Sequence, residues 1–248
     1  MKIGVAALVG GLLGVPGFLC FLLAFGTDYW LLASDDCGWF KQLRSTAYTV
    51  VQTNSTEASE VTNSSLSFLT LHHEGFFWRC LFQSDPSQHV LLAVLFTNQP
   101  RQKECIHGYL FPLPVAVGPV AHQIYDATAV FRGFWTMIIV LAVVASVTGG
   151  FLIVCAVPFI SHKLYRVGGA FLITAACLFL VLVGLFILWK ELVDVRQYIL
   201  QERGRICPDA HLEAQYGWSF IVAVAGIPLI LLSGILFYCI GRHLQKHI

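Results

Sequence analysis

Charged side chains are scarce in this chain: Asp, Glu, Lys and Arg make up 12% of its 248 residues and hydrophobic types 57%, where soluble domains carry about 25% charged residues. Four stretches lack all four charged types over a length that can cross a bilayer: residues 3–26, 133–160, 167–189 and 216–241. A span needs about 20 apolar residues at the helical rise. Hydrocarbon offers the backbone no hydrogen-bond partner, so each stretch is expected to be a helix that satisfies itself. The absence of acids and bases from these stretches argues against a transporter or proton relay, which keeps ionisable groups at membrane depth. No nucleotide cradle, nucleophile with its base or ligand cluster is found, so neither an enzyme nor a cofactor site is expected. Nucleic acid is not an expected partner either; the bilayer is.

What is present divides the chain into eight parts. Residues 1–26 read as a first transmembrane helix, 27–132 as a large outer loop, 133–160 as a second helix and 161–166 as a tight turn. A third helix over 167–189, a second outer loop over 190–215, a fourth helix over 216–241 and a tail over 242–248 complete it. The first stretch is too long for a signal-peptide core, and the following Thr27-Asp28-Tyr29-Trp30 lacks small residues for cleavage. Lys2, Lys163, Arg166, Arg242 and Lys246 on one side face Lys190, Arg196, Arg203 and Arg205 in the second loop, so basic residues orient the chain only weakly. Asn54 and Asn63 begin Asn-x-Ser/Thr acceptors, and sugar is added on the lumenal side. The large loop is therefore expected outside the cell, with both termini and the 161–166 turn in the cytoplasm of a multi-pass plasma-membrane protein.

Of eight cysteines, Cys20, Cys155, Cys177 and Cys239 fall in the spans, where a thiol acts as a small apolar group. Cys37, Cys80, Cys105 and Cys207 fall in the outer loops, where an even number implies two bridges with three connectivities. The expected pairing joins Cys80 to Cys105 and Cys37 to Cys207, the second bridge clamping the two loops together.

The run His72-His73-Glu74-Gly75-Phe76-Phe77-Trp78-Arg79-Cys80 has the residue types of a metal site. Neighbouring histidines on a strand point to opposite faces, however, and His89, His107, His122 and His211 are available only at unknown distance. Its aromatic content reads instead as a strand packed on one face, with histidines on the rim and Cys80 placed for a bridge. Residues 90–96 are a second strand candidate. Trp30, just beyond the first span, reads by itself as an interface anchor.

A tryptophan outside the first span, Gly-x-x-Trp-x-Cys over Gly75, Trp78 and Cys80, a further cysteine at 105, and Arg132 at the edge of the second span together resemble the claudin and peripheral-myelin-protein superfamily. The resemblance implies an all-α four-helix transmembrane bundle carrying a small extracellular antiparallel β-sheet, built mostly from the first loop with a strand from the second. It matches Trp30 and Trp78 to the signature tryptophans and Cys80 with Cys105 to the loop disulfide. Arg132 would tie the loops to the bundle, with Asp126 as its nearest candidate partner. One residue separates Trp78 from Cys80 where claudins have two, and the interval to Cys105 is longer, which implies an insertion in the sheet.

Gly10, Gly14 and Gly17 line one side of the first helix, a pattern that serves either packing within the bundle or a homo-oligomer seam. The function expected is adhesion or regulation: a disulfide-bound outer layer that contacts another membrane protein. Resemblance to one branch of the superfamily implies an integrin beta chain as partner and restraint of muscle-cell differentiation as context. An auxiliary channel subunit or paracellular barrier component is the alternative.

Overall fold

The computed structural model describes residues 2–35, 69–84, 104–107, 109–110, 113–114, 123–195, 198–199 and 212–246. Four long helices, α1 (Lys2–Gly26), α2 (Gln123–Phe159), α3 (His162–Leu192) and α4 (Trp218–Lys246), are each long and apolar enough to cross a membrane. Among the described residues seven strands accompany them: β1 (Leu31–Asp35), β2 (Leu69–Glu74), β3 (Trp78–Ser84), β4 (Glu104–His107), β5 (Tyr109–Leu110), β6 (Leu113–Pro114) and β7 (Leu212–Tyr216).

In space α1 packs on α4, α4 on α3 and α3 on α2. Each seam is built on small residues, because apolar lipid gives helices no hydrophobic reason to associate and close backbone approach must supply the attraction. Gly10, Gly14 and Gly17 all face α4: a Cβ on them would meet Phe237, Ser233 and Ile230 at 2.6–2.9 Å. Ser233 Oγ also donates to the carbonyl of Gly10 at 2.8 Å. The glycine side of α1 is thus used inside the bundle. On the α3–α4 seam a Cβ on Gly169 would lie 2.5 Å from the Tyr238 amide, and on the α2–α3 seam one on Gly168 would lie 3.0 Å from Gly149 O.

The helix ends depart from the hydropathy boundaries. Helix α2 starts at Gln123, ten residues before the expected 133, and its 37 residues extend about 55 Å, well beyond the roughly 30 Å of hydrocarbon. Hydropathy marks where lipid begins, whereas the helix runs on because Thr128 and Arg132 find buried partners above it. At the opposite end the expected 161–166 turn is mostly helix: α3 begins at His162, and Ile160 takes a φ of 45° to reverse the chain. A β-branched residue rarely adopts that conformation, and it shortens the connection to two residues.

At the end of the bundle where α1 stops and α4 starts lies an antiparallel sheet of strand order β4-β3-β2-β1-β7, with β5 and β6 as a separate pair. Four of its strands come from the first loop and β7 from the second, in the arrangement the resemblance implied. The stretch expected as one strand over 72–80 is two strands and a turn: β2 ends at Glu74, and Gly75, Phe76 and Phe77 reverse the chain into β3. Residues 90–96, Cys37, Cys207, Asn54 and Asn63 lie outside the described residues.

Cys80 pairs in register with Cys105 across β3 and β4 and is bonded to it, as expected, and Cys20, Cys155, Cys177 and Cys239 are free. The bond closes a sequence separation of 25 residues, which constrains the unfolded chain by about 3 kcal/mol. A Cys80→Ser, Cys105→Ser variant is expected to lose about that much. Thermal unfolding in detergent micelles, followed by tryptophan fluorescence, measures it; a loss below about 1 kcal/mol would show that the sheet holds its loop without the bond.

Candidate functional site at the sheet–bundle junction

The junction is organised around the four residues that follow α1, Thr27 to Trp30. A helix leaves its last four carbonyls without partners, and α1 solves this with side chains from the next turn. Thr27 Oγ1 donates to Leu23 O at 2.7 Å, and the Trp30 indole Nε1 donates to Ala24 O at 2.6 Å. With the Thr27 hydrogen so used, the 2.7 Å contact between Thr27 and Ser219 is a hydrogen bond donated by Ser219.

The same segment receives the start of α4 and the turn of the sheet. Gly217 N donates to Trp30 O at 3.0 Å, Ser219 N to Tyr29 O at 3.2 Å and Trp30 N to Glu74 O at 3.2 Å. These approaches need residues without a Cβ. At Gly75 one would lie 2.8 Å from Asp28 Cα and 2.9 Å from Thr27 O, and at Gly217 it would collide with the Tyr29 carbonyl.

Trp30 is fully buried, so it is a core residue and not the interface anchor its position alone suggests. Phe76, at the tip of the β2–β3 turn, inserts into the top of the bundle. Its ring lies 4.4 Å from Trp30, 5.3 Å from Trp135 and 5.9 Å from Phe186, centroid to centroid. Trp189 continues the cluster, edge-on to Trp135 at 5.5 Å, and its indole donates to Thr128 at 3.1 Å. Full burial of one such ring contributes about 1.5–3 kcal/mol, with about 0.5–1.5 more from each well-oriented aromatic pair.

Trp78 behaves differently, with 38% of its surface exposed. The two signature tryptophans therefore carry unequal weight. Trp30→Ala is expected to cost about 3–5 kcal/mol, while Trp78→Ala is expected to cost about 1 kcal/mol or less and to leave delivery to the cell surface intact. Paired unfolding curves and surface biotinylation check this, and equal losses would contradict the burial difference.

Beside the aromatic cluster lies a buried ionic one. Arg132 Nη2 donates to Glu74 Oε1 and, at 3.0 Å, to Tyr198 Oη. Arg79 completes it, its Nε 3.6 Å from the same carboxylate oxygen and its guanidinium carbon 4.8 Å over the Tyr198 ring. Glu74 and Arg132 are 7% and 6% exposed, so each charge relies on the other for the solvation it has lost. Arg132 thus ties the sheet to the bundle through Glu74; the side chain of Asp126, the partner suggested by sequence proximity, lies outside what is described.

His73 is buried at 2% exposure, its Nδ1 3.7 Å from Asp28 Oδ2 and its ring 4.4 Å from that of Tyr29. The expected rim position is wrong for His73, because Gly75 draws the end of β2 against residues 27–28; His72 remains half-buried. Burial, with the Asp28 carboxylate second, holds the Tyr29 phenol above its ordinary pKa. Among the described residues no group of three His, Cys, Asp or Glu side chains is placed to hold a metal ion.

Phe76, His73, Glu74, Tyr198 and Asp28 were missed by sequence reasoning as members of one site. Phe76 had a signal, since an aromatic residue directly after a strand-breaking glycine is a natural turn-tip plug. Glu74 and Tyr198 had none, being 58 and 66 positions from Arg132.

Four membrane-crossing helices capped by a disulfide-pinned antiparallel sheet, with a buried tryptophan and an arginine binding the two layers, define a claudin-like tetraspan membrane protein. A family model described as PMP-22/EMP/MP20/Claudin tight junction matches residues 15–239, and the chain belongs to that family. Within it, the chain is 38% identical to transmembrane protein 182 of Mus musculus and 38% to that of Homo sapiens, covering the whole of both chains in each case. It is 38% identical to the same protein of Gallus gallus over 98% of this chain and 97% of the relative.

Proposed function

We propose that this protein is a non-enzymatic, glycosylated plasma-membrane protein whose outer layer binds and regulates another membrane protein. By resemblance to transmembrane protein 182 the partner is an integrin beta chain, and the outcome is restraint of muscle-cell differentiation. The observation that carries this reading is the double lock at the junction. Aromatic and ionic clusters join the sheet to the bundle, so a contact made on the outer layer is held in fixed relation to the membrane, as a lateral regulator requires.

Charge distribution supports an outward-facing sheet. Residues 1–27, 127–190 and 214–248 contain no Asp or Glu, so all 14 acidic residues fall on the sheet side or in its loops. The far end of the bundle has Lys2, Lys163, Arg166, Arg242 and Lys246 and no acid, a weak lean toward a cytoplasmic face. Glycans on Asn54 and Asn63 and a Cys37–Cys207 bridge belong to the same reading.

The test is surface crosslinking and mass spectrometry on muscle cells expressing the chain, beside a chimera whose residues 27–132 come from a claudin. Capture of an integrin beta chain by the native loop alone is the expected result. Capture of a channel, or of a second copy across cell contacts, would replace this reading with an auxiliary-subunit or barrier role.

A further inference from the structure

Away from the junction, on the outer surface of the bundle, a groove of about 490 Å³ opens between α2, α3 and α4. Leu141, Val144, Val167, Phe171 and Leu178 give it an apolar floor, and Arg166 stands at one end. From Arg166 to Leu178 the groove follows α3 for twelve residues, about 18 Å. That is slightly more than one leaflet of a hydrocarbon core about 30 Å thick. Its rim therefore lies at headgroup level and its floor reaches the middle of the bilayer.

The rim is positively charged, and residues 127–190 and 214–248 contain no Asp or Glu to neutralise it. Gln245 Oε1 accepts from Arg166 Nη1 at 2.8 Å, which orients the guanidinium while occupying one of its five N–H donors. Lys163 lies one turn before Arg166 on α3, and Arg242 lies on α4, whose residue Gly241 abuts Arg166 closely enough that a Cβ there would be 2.5 Å from its amide. The first turn of α3 contains no acidic residue. A cation at headgroup level above a leaflet-deep apolar channel is complementary to an anionic phosphodiester with its acyl chain below, and basic pockets between helices bind such headgroups.

We propose that this groove is a binding site for one anionic glycerophospholipid, with the phosphate on Arg166 and an acyl chain laid along Val144, Phe171 and Leu178. The site does not depend on the partner assigned to the outer layer. Arg166 serves as a bidentate phosphate ligand, and Tyr238 from α4 closes the side of the channel.

Native mass spectrometry of the purified full chain, titrated with phosphatidylserine or with phosphatidylcholine of identical acyl chains, tests this. Wild type is expected to retain one phosphatidylserine about tenfold more tightly than phosphatidylcholine, the scale of one charge-assisted pair. Arg166→Gln should reduce phosphatidylserine to the phosphatidylcholine level. Ala170→Phe, on an exposed groove position where folding is not at stake, should weaken both lipids. Lys246→Gln, at the same end but outside the groove, should change neither. Equal retention of the two lipids would overturn the site, as would a phosphatidylserine preference that survives both groove variants. A preference lost equally on Lys246→Gln would reduce it to diffuse attraction, and a dimer abolished by Ala170→Phe would assign the groove to a second copy of the chain.

Discussion

Arg132→Leu is expected to destabilise the protein by about 3–5 kcal/mol, the usual consequence of removing one partner from a buried ion pair. The guanidinium supplies the hydrogen bonds that Glu74 and Tyr198 receive from α2. Arg79, at 3.6 Å, is too far to replace them with a normal hydrogen bond. Leucine keeps much of the stem's apolar contact, so the loss measures the charge and not the packing. Glu74→Gln retains an acceptor of the same shape and is expected to cost less, about 1–3 kcal/mol. The double variant Arg132→Leu, Glu74→Leu should recover part of the single-variant loss, because removing both charges removes the unpaired one. Thermal unfolding in micelles measures all three, with surface delivery as the cellular readout. Additive losses in the double variant would mean that the two groups act separately and that the ionic lock is not a unit.

Gly217→Ala and Gly75→Ala are expected to be as damaging, for a reason that involves no charge. The added methyl at 217 would overlap the Tyr29 carbonyl, and at 75 it would press on the backbone of Thr27 and Asp28. Backbone obstacles cannot rotate aside as side chains do. The whole segment would have to shift, at the expense of the hydrogen bonds from Trp30 to Glu74 and from Gly217 to Trp30. Each variant is expected to lose more than about 3 kcal/mol, placing it among the severe single substitutions, and to be retained inside the cell. Gly26→Ala is the control from the same region. Nothing lies within 4 Å of a Cβ there, and the change should stay within about 0.5 kcal/mol of wild type. If Gly217→Ala matched Gly26→Ala in stability, the close packing of residues 27–30 between sheet and bundle would be disproved.

These two sets of variants probe one arrangement from opposite sides. Residues 27–30 end α1, accept the start of α4 and align the β2–β3 turn, and so align Phe76 with Trp135 and Phe186 and Glu74 with Arg132. Disturbing the backbone should therefore weaken the ionic lock as well. Losses from Gly75→Ala and Glu74→Gln are expected to be less than additive when combined, since both release the same turn.

The four spans and the Cys80–Cys105 pairing were legible in the residues themselves or in their family pattern. Long apolar runs have a local cause, the solvent they face, and a sliding window reads it without knowing the fold. The helix ends were less legible. Gln123–Arg132 is too polar to register as membrane, yet it continues α2 because Thr128 and Arg132 are satisfied by Trp189, Glu74 and Tyr198.

The division of His72-His73-Glu74-Gly75-Phe76-Phe77-Trp78-Arg79-Cys80 into two strands and a plugging turn depended on where that run meets residues 27–30. Dense aromatic content is common to a strand and to a turn tip that packs inward. Likewise, the sequence by itself determined that the chain crosses a membrane four times, because hydrophobic burial in lipid is set segment by segment. Only the tertiary structure decided which tryptophan is core and which is surface, that His73 is buried, and that Arg132 is bound by Glu74. Those outcomes rest on contacts between residues far apart in the chain, whose worth comes from the water they jointly exclude and which no local pattern encodes.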